Sequence, residues 1–268
     1  MASYNTEQLL SLNARQAEVF KRIKSGGLSI EAALAGTQGI LDGLYPTQPV
    51  YQSPDWYDAS PERQIEKASV FLDLYGGGQE GFLPSDIPAA PSFTSRTKTE
   101  VLLLTVMLPD KGRVKGLQRT FDAWWDFIVP PVGLTKWRWE ELKSDSKHLR
   151  LASGIKYVPG IRWVAFDPNA YQGKSPKDAL AQSVNDGTTL AHAEVLMAAA
   201  QFPGWVSSWN GGKSPYPNMS ALQFYWDADW SSVVLYLYRL DGSRQLKLDA
   251  SWADGAGSHW LSPVVREC

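Results

Sequence analysis

Apolar positions along the first third of the chain recur at helical spacing. Leu9, Leu12, Val19, Phe20 and Ile23 predict a helix capped by Thr6 and running to Lys24, where Gly26-Gly27 ends it. Lys21, Arg22 and Lys24 fall in its last turn, where positive charge favours the helix dipole. Ile30, Ala33, Leu34, Ile40, Leu41 and Leu44 predict a second helix, interrupted by Gly36 and Gly39. Pro46, Pro49 and Pro54 mark a linker. Ser60-Pro61-Glu62 then supplies a cap, a proline at the first helical position and an acid behind it. Ile65, Ala68, Phe71 and Leu72 share one face of the helix that follows, up to Gly76-Gly77-Gly78. A second linker with Pro84, Pro88 and Pro91 extends to about residue 95. Residues 1–95 thus read as a helical N-terminal segment with linkers, suited to docking or oligomerisation.

Beyond residue 96 the texture changes. Thr99–Leu108 is a nearly unbroken apolar run of the length of a fully buried strand. Leu117, Phe121, Trp124, Trp125 and Ile128 give Val114–Ile128 a wide aromatic helical face. Gly160–Phe166 predicts a strand ended by Asp167-Pro168, and Ser175-Pro176-Lys177-Asp178 opens a helix with a capping box. Another helix is predicted from Thr189 through Leu190 to Gln201, stopped by Pro203-Gly204. Leu222–Trp226, Val233–Leu240, Gln245–Trp252 and Pro263–Arg266 predict strands, with Asp241-Gly242 as a hairpin turn. In the third of these, Leu246, Leu248, Ala250 and Trp252 face one way, and Gln245, Lys247, Asp249 and Ser251 the other. The expected architecture is α+β, with the first and last strands of residues 96–268 paired.

Composition narrows the function. Lys plus Arg is 26 against 28 for Asp plus Glu in 268 residues, a net charge of −2. Such a chain has no field to recruit nucleic acid or an anionic membrane. The one cysteine, Cys268, excludes internal disulfides, cysteine-rich zinc sites and CxxC redox chemistry. The N-terminus lacks a secretory pattern, and no apolar run approaches the roughly 20 residues of a membrane span. The expectation is a cytoplasmic protein, with display on a surface or a virion left open. Tryptophan is in surplus: 12 residues, of which all but Trp56 lie between Trp124 and Trp260.

Most motifs with chemical potential fail on their own terms. Gly212-Lys213-Ser214 lacks the earlier glycine of a phosphate loop, since that position is Ser207. His192-Ala193-Glu194 opens like a zinc deaminase signature, but the paired cysteines are missing. His148, His192 and His259 show no metal-ligand spacing, and His192 reads as a core histidine. Asn218-Met219-Ser220 is a glycosylation sequon without a secretory route. No cofactor or metal is expected. Tyr225-Trp226-Asp227-Ala228-Asp229-Trp230 is stronger: on a strand, Asp227 and Asp229 would face the same side. They could hold Ca²⁺, act as an acid–base pair on a carbohydrate beside stacking tryptophans, or cap a turn.

The C-terminal part resembles the C-type-lectin-fold proteins of the formylglycine-generating-enzyme type, and among them the variable proteins of diversity-generating retroelements. The resemblance is carried by Asp186-Gly187-Thr188-Thr189-Leu190-Ala191-His192-Ala193-Glu194-Val195-Leu196, by Pro215-Tyr216-Pro217-Asn218-Met219-Ser220, and by the ending Arg244-Gln245-Leu246, Trp252-Ala253-Asp254, Trp260 and Ser262-Pro263-Val264-Val265-Arg266-Glu267. It implies a C-type-lectin-like domain over 96–268, with short antiparallel strands and flanking helices. The family's oxidases need active-site cysteines, which this chain lacks, so the resemblance implies a binding protein and no enzyme. It further implies a C-terminal region rewritten at the adenines of AAC and AAT codons, which cannot become Lys, Gln, Glu, Met or Trp. Between Ser231 and Pro263, Gln245, Lys247, Trp252 and Trp260 alone belong to those five. The expected variable face is Val234, Tyr236, Tyr238, Leu240, Asp249, Ser251, Gly255, Gly257, Ser258 and His259, rich in residues that adaptable paratopes use. Trp226, Trp230, Trp252 and Trp260 are its expected rigid scaffold. The implied partner is a protein or surface ligand, with homo-oligomerisation through the N-terminal helices left open.

Overall fold

The apolar run in the middle of the chain forms a strand, Val101–Met107 (β1), buried along its whole length. The computed structural model describes residues 54, 56–76, 81–209, 215–230, 232–240 and 244–268, all of which fall in one compact unit, Gln52–Cys268. The helices expected over 6–24 and 30–44, the Gly212-Lys213-Ser214 motif and the Asp241-Gly242 turn lie outside the described residues. The described fold is mixed α+β. β1 pairs antiparallel with Gly160–Asp167 (β4), β4 with Val264–Glu267 (β11), and β11 with Thr189–Leu190 (β5). The first and last strands therefore do not pair, because β4 lies between them. Arg266 bridges the gap instead: Nε and Nη2 donate to the two carboxylate oxygens of Glu100 at 2.7 and 3.0 Å, and Nη2 also donates to Thr94 O.

The free edge of β1 is covered by side chains rather than a strand. A buried edge with unpaired backbone groups would cost heavily. Gln64 Nε2 donates to Leu102 O at 3.0 Å, and Gln64 Oε1 accepts from Leu104 N at 2.9 Å. Trp124 Nε1 donates to Val106 O, Thr120 Oγ1 accepts from Leu108 N, and the Tyr157 hydroxyl donates to Leu108 O. This explains a glutamine on the apolar side of the helix Pro61–Tyr75 (α1), whose other buried residues are Ala68, Phe71 and Leu72. Ser60 caps α1 as expected, accepting from Arg63 N. Phe71 stacks on Trp124 of the helix Gly116–Phe127 (α2), with ring centroids 4.0 Å apart and planes 10° apart. That helix opens on Gly116, where no side chain fits, since a Cβ there would sit 2.2 Å from Leu108 O. With α1 in the core, packing begins well ahead of the change in texture near residue 96.

The segment after β4 corrects where its second helix starts. Thr189–Leu190 is not the start of a helix; it is β5, and the helix is Glu194–Gln201, buried almost throughout. That helix ends at Gln201, ahead of Pro203 as expected, and Pro203 then opens a separate short helix, Pro203–Ser208. The helix Pro176–Asp186 is as expected, with Ser175 Oγ accepting from Asp178 N and Gly187 closing it at φ 63°. His192 is buried, and burial holds its imidazole below the usual range, against a smaller opposing pull from Glu194.

A second sheet builds on the C-terminal strands. Val233–Leu240 (β8) and Gln245–Trp252 (β9) pair antiparallel, and Thr135–Arg138 (β2) adds to β9 in parallel, giving the order β2-β9-β8. Leu235, Leu237, Leu246 and Leu248 point inward and are 0% exposed. The shared face expected for β9 continues through Ala250, which packs partly buried against the core, and ends at Trp252, which is 60% exposed. The strand expected over Leu222–Trp226 stops at Phe224 and pairs with Leu149–Leu151 (β3) as β7, apart from the hairpin. Tyr216–Pro217 (β6) pairs in parallel with Trp260–Leu261 (β10), and Asn218 bridges to Tyr236 of β8.

Candidate functional site

The β8–β9 register decides which side chains share a surface. Tyr236 lies opposite Asp249, Tyr238 opposite Lys247, Val234 opposite Ser251 and Leu240 opposite Gln245. Directly opposed residues project to the same side of a sheet, so these side chains all lie on the outer face. Tyr236, Tyr238, Asp249 and Ser251 are half-buried there, and Leu240 is exposed at the strand end. Val234 departs from the expectation: it is 2% exposed and belongs to the packing. Trp137 lies opposite Lys247 in the parallel pair, and Lys247 Nζ sits 4.5 Å from its ring centroid.

An aromatic group forms the centre of this face. The rings of Tyr236 and Tyr238 stack with centroids 5.3 Å apart. Tyr216 stands 5.5 Å from Tyr236 and 5.6 Å from Tyr238, and Trp260 is 6.0 Å from Tyr236. The β6–β10 pairing brings Tyr216 here, with Tyr216 N donating to His259 O. Burial first, and then the Asp249 carboxylate, push the Tyr238 phenol up to about 12. The same two causes raise Tyr236 further. The Tyr238 hydroxyl donates to Asp249 Oδ2 over a long 3.5 Å, and Ala250 N donates to Asp249 Oδ1 at 2.9 Å.

The other expected site residues do not join this surface as equals. A Cβ on Gly257 would lie 3.2 Å from Trp260 Cδ1, and one on Gly255 3.2 Å from Trp252 O and 3.5 Å from the Trp260 ring. These glycines are contacts of the indole rather than open positions. Ser258 and His259 line a separate cleft of about 220 Å³, together with Trp56, Trp205, Gln172 and Asn169. The expected tryptophan scaffold also disperses. Trp260 packs on the tyrosines, but Trp226 packs on Trp139 at 4.6 Å, and Trp230 lies between Tyr225 and the Arg150 guanidinium, 4.1 Å from its centroid. Trp252 is exposed. By contrast Trp124, Trp125 and Trp163 fill the core, each under 7% exposed.

Asp227 and Asp229 are not on a strand. Trp226 and Asp229 exchange both backbone hydrogen bonds at 2.9 Å around a two-residue turn, with Asp227 at φ 48° and Ala228 at φ 63°. Both carboxylates are exposed, and Asp229 Oδ1 accepts from Trp230 N. Left-handed backbone at both central positions favours Asn or Asp followed by Gly. The turn is one of the readings expected of this run, although the alanine at its second position departs from the usual pattern. Ala228→Gly is therefore expected to stabilise the fold by about 1 kcal/mol, read as a higher urea midpoint at unchanged slope.

Two contributors to the outer face, Tyr216 and Trp137, are not among the expected face residues, because long-range pairing places them. Lys247 was placed on this side by alternation along β9. No protein-family model, curated protein or solved structure matches the chain.

Proposed function

We propose that the chain is a ligand-recognition protein without catalytic activity. Its fold would be C-type-lectin-like, and the outer face of β8 and β9 would be the surface that a retroelement diversifies. One observation carries the reading. Tyr236, Tyr238, Leu240, Asp249 and Ser251 project outward from strands whose inward residues Leu235, Leu237, Leu246 and Leu248 are wholly buried. Outward positions can then change without altering the core that positions them.

The segments that carry the resemblance support it by meeting in space. Leu190 pairs with Val264, Asn218 Nδ2 donates to Leu261 O at 2.8 Å, and the Ser220 and Ser262 hydroxyls bond at 2.9 Å. The replaceable set is narrower than the resemblance implies: Val234, Gly255 and Gly257 are withdrawn because they pack. The partner is a protein or surface ligand; no described helix is long and apolar enough to cross a membrane.

A displayed library randomised at Tyr236, Tyr238, Leu240, Asp249 and Ser251 tests this. Most members are expected to stay folded and protease-resistant, and different members to bind different target proteins. A library whose members unfold as often as one randomised at Leu235, Leu237, Leu246 and Leu248 would refute it.

A further inference from the structure

We propose that the tyrosine–aspartate cluster on this face takes the guanidinium of an arginine side chain presented by a protein ligand. The inference rests on the recognition reading above and names the chemistry of its partner.

Asp249 supplies the charge. Its carboxylate is half-buried, its contacts are the long Tyr238 bond and the Ala250 amide, and no basic side chain lies within ion-pair distance of it among the described residues. Lys247, on the same face, stands over Trp137 at 4.5 Å and 5.9 Å from the Tyr238 ring centroid, beside the cluster but not paired with Asp249. A half-buried carboxylate with spare acceptor capacity complements a cation, and more so when water is excluded.

The rings supply the shape. Tyr236 lies directly opposite Asp249, and its stacked partner Tyr238 and the edge-on Tyr216 surround it. Phenol oxygens accept hydrogen bonds, and the faces of aromatic rings attract cations. A guanidinium answers both, because it is planar, stacks on a ring and directs five N–H donors within its plane. Burial raises the Tyr236 and Tyr238 phenols most, and Asp249 and the neighbouring phenols add to it, so further negative charge is disfavoured there. An anionic ligand would meet the same repulsion. Elsewhere the chain shows the ring-stacking half of this chemistry: Arg150 lies over the Trp230 ring at 4.1 Å while its Nε donates to the neutral Gln223 Oε1 at 2.9 Å.

The test is selection of peptides from a random twelve-residue phage library on the full chain. Selected peptides are expected to be enriched in arginine. Their affinity is expected to fall at least about tenfold on Asp249→Asn, a loss in keeping with one charge-assisted hydrogen bond. Replacing the peptide arginine by uncharged citrulline is expected to do the same, with no change to the protein. Peptides that lose binding on Tyr238→Ser, yet show no arginine and ignore Asp249→Asn, would overturn the inference and leave the face standing. Peptides indifferent to both substitutions would overturn the face as well. An empty selection would count against the arginine inference.

Discussion

A chain truncated to begin at residue 96 is expected to be unfolded, whereas one beginning at Gln52 melts in a single cooperative transition by circular dichroism. The truncation removes α1, whose Phe71 and Leu72 are 0% and 3% exposed and whose Phe71 stacks on Trp124. Burying side chains of that size contributes roughly 1.5–3 kcal/mol each. The same cut also strips Gln64 from the β1 edge and uncovers Trp124. Together these losses approach the roughly 5–15 kcal/mol by which a protein of ordinary stability is folded. A folded chain from residue 96 would show that α1 is an appendage and that the packing described here is dispensable.

Gln64→Met is expected to lower stability by about 3 kcal/mol, although methionine nearly matches glutamine in volume. The side chain is 0% exposed and serves Leu102 O, Ala59 O, the Tyr57 hydroxyl and Leu104 N at once. Methionine would leave the buried Leu104 N–H without a partner, the buried Leu102 C=O with only the long Tyr57 hydroxyl bond at 3.4 Å, and the Ala59 C=O without the Gln64 donor. An unpaired buried group costs about 1–3 kcal/mol. At this chain length the loss corresponds to a melting temperature lower by about 6–12 °C. A change of less than 2 °C, roughly what 0.5 kcal/mol would give, would mean that water or a neighbour replaces those bonds.

These two outcomes bear on what sequence alone could reveal. Periodicity located β1, α2, β4, the Ser175-capped helix and the β8–β9 pair, because each has an unambiguous apolar rhythm and a local stop signal. It could not assign Gln64, since a polar residue on an apolar helix face looks like an imperfection until the strand edge it serves is seen. It read Thr189–Leu190 as helix because two residues have no period of their own, and β11 is what makes them a strand. The pairing of first with last strand failed for a related reason: β4 enters between them, and the contact runs instead through the Arg266 side chain to Glu100.

At the site, alternation within β9 placed Lys247, Asp249 and Ser251 on one side. The antiparallel register then joined them to Tyr236 and Tyr238. What alternation could not supply was the third dimension. Tyr216 arrives through β6, and Gly255 and Gly257 turn out to lie against Trp260 instead of standing open. Trp226 and Trp230, grouped by sequence with the face, pack elsewhere around Trp139 and Arg150.

The most direct test of a replaceable outer face is to sequence the encoding locus and its surroundings across a clonal population. The account predicts a near-copy of the 3′ end beside a reverse-transcriptase gene. It also predicts substitutions at template adenines in the codons of Tyr236, Tyr238, Leu240, Asp249 and Ser251, with Leu235, Leu237, Leu246 and Leu248 unchanged. A locus without a template copy, or variation falling equally on inward and outward codons, would contradict it.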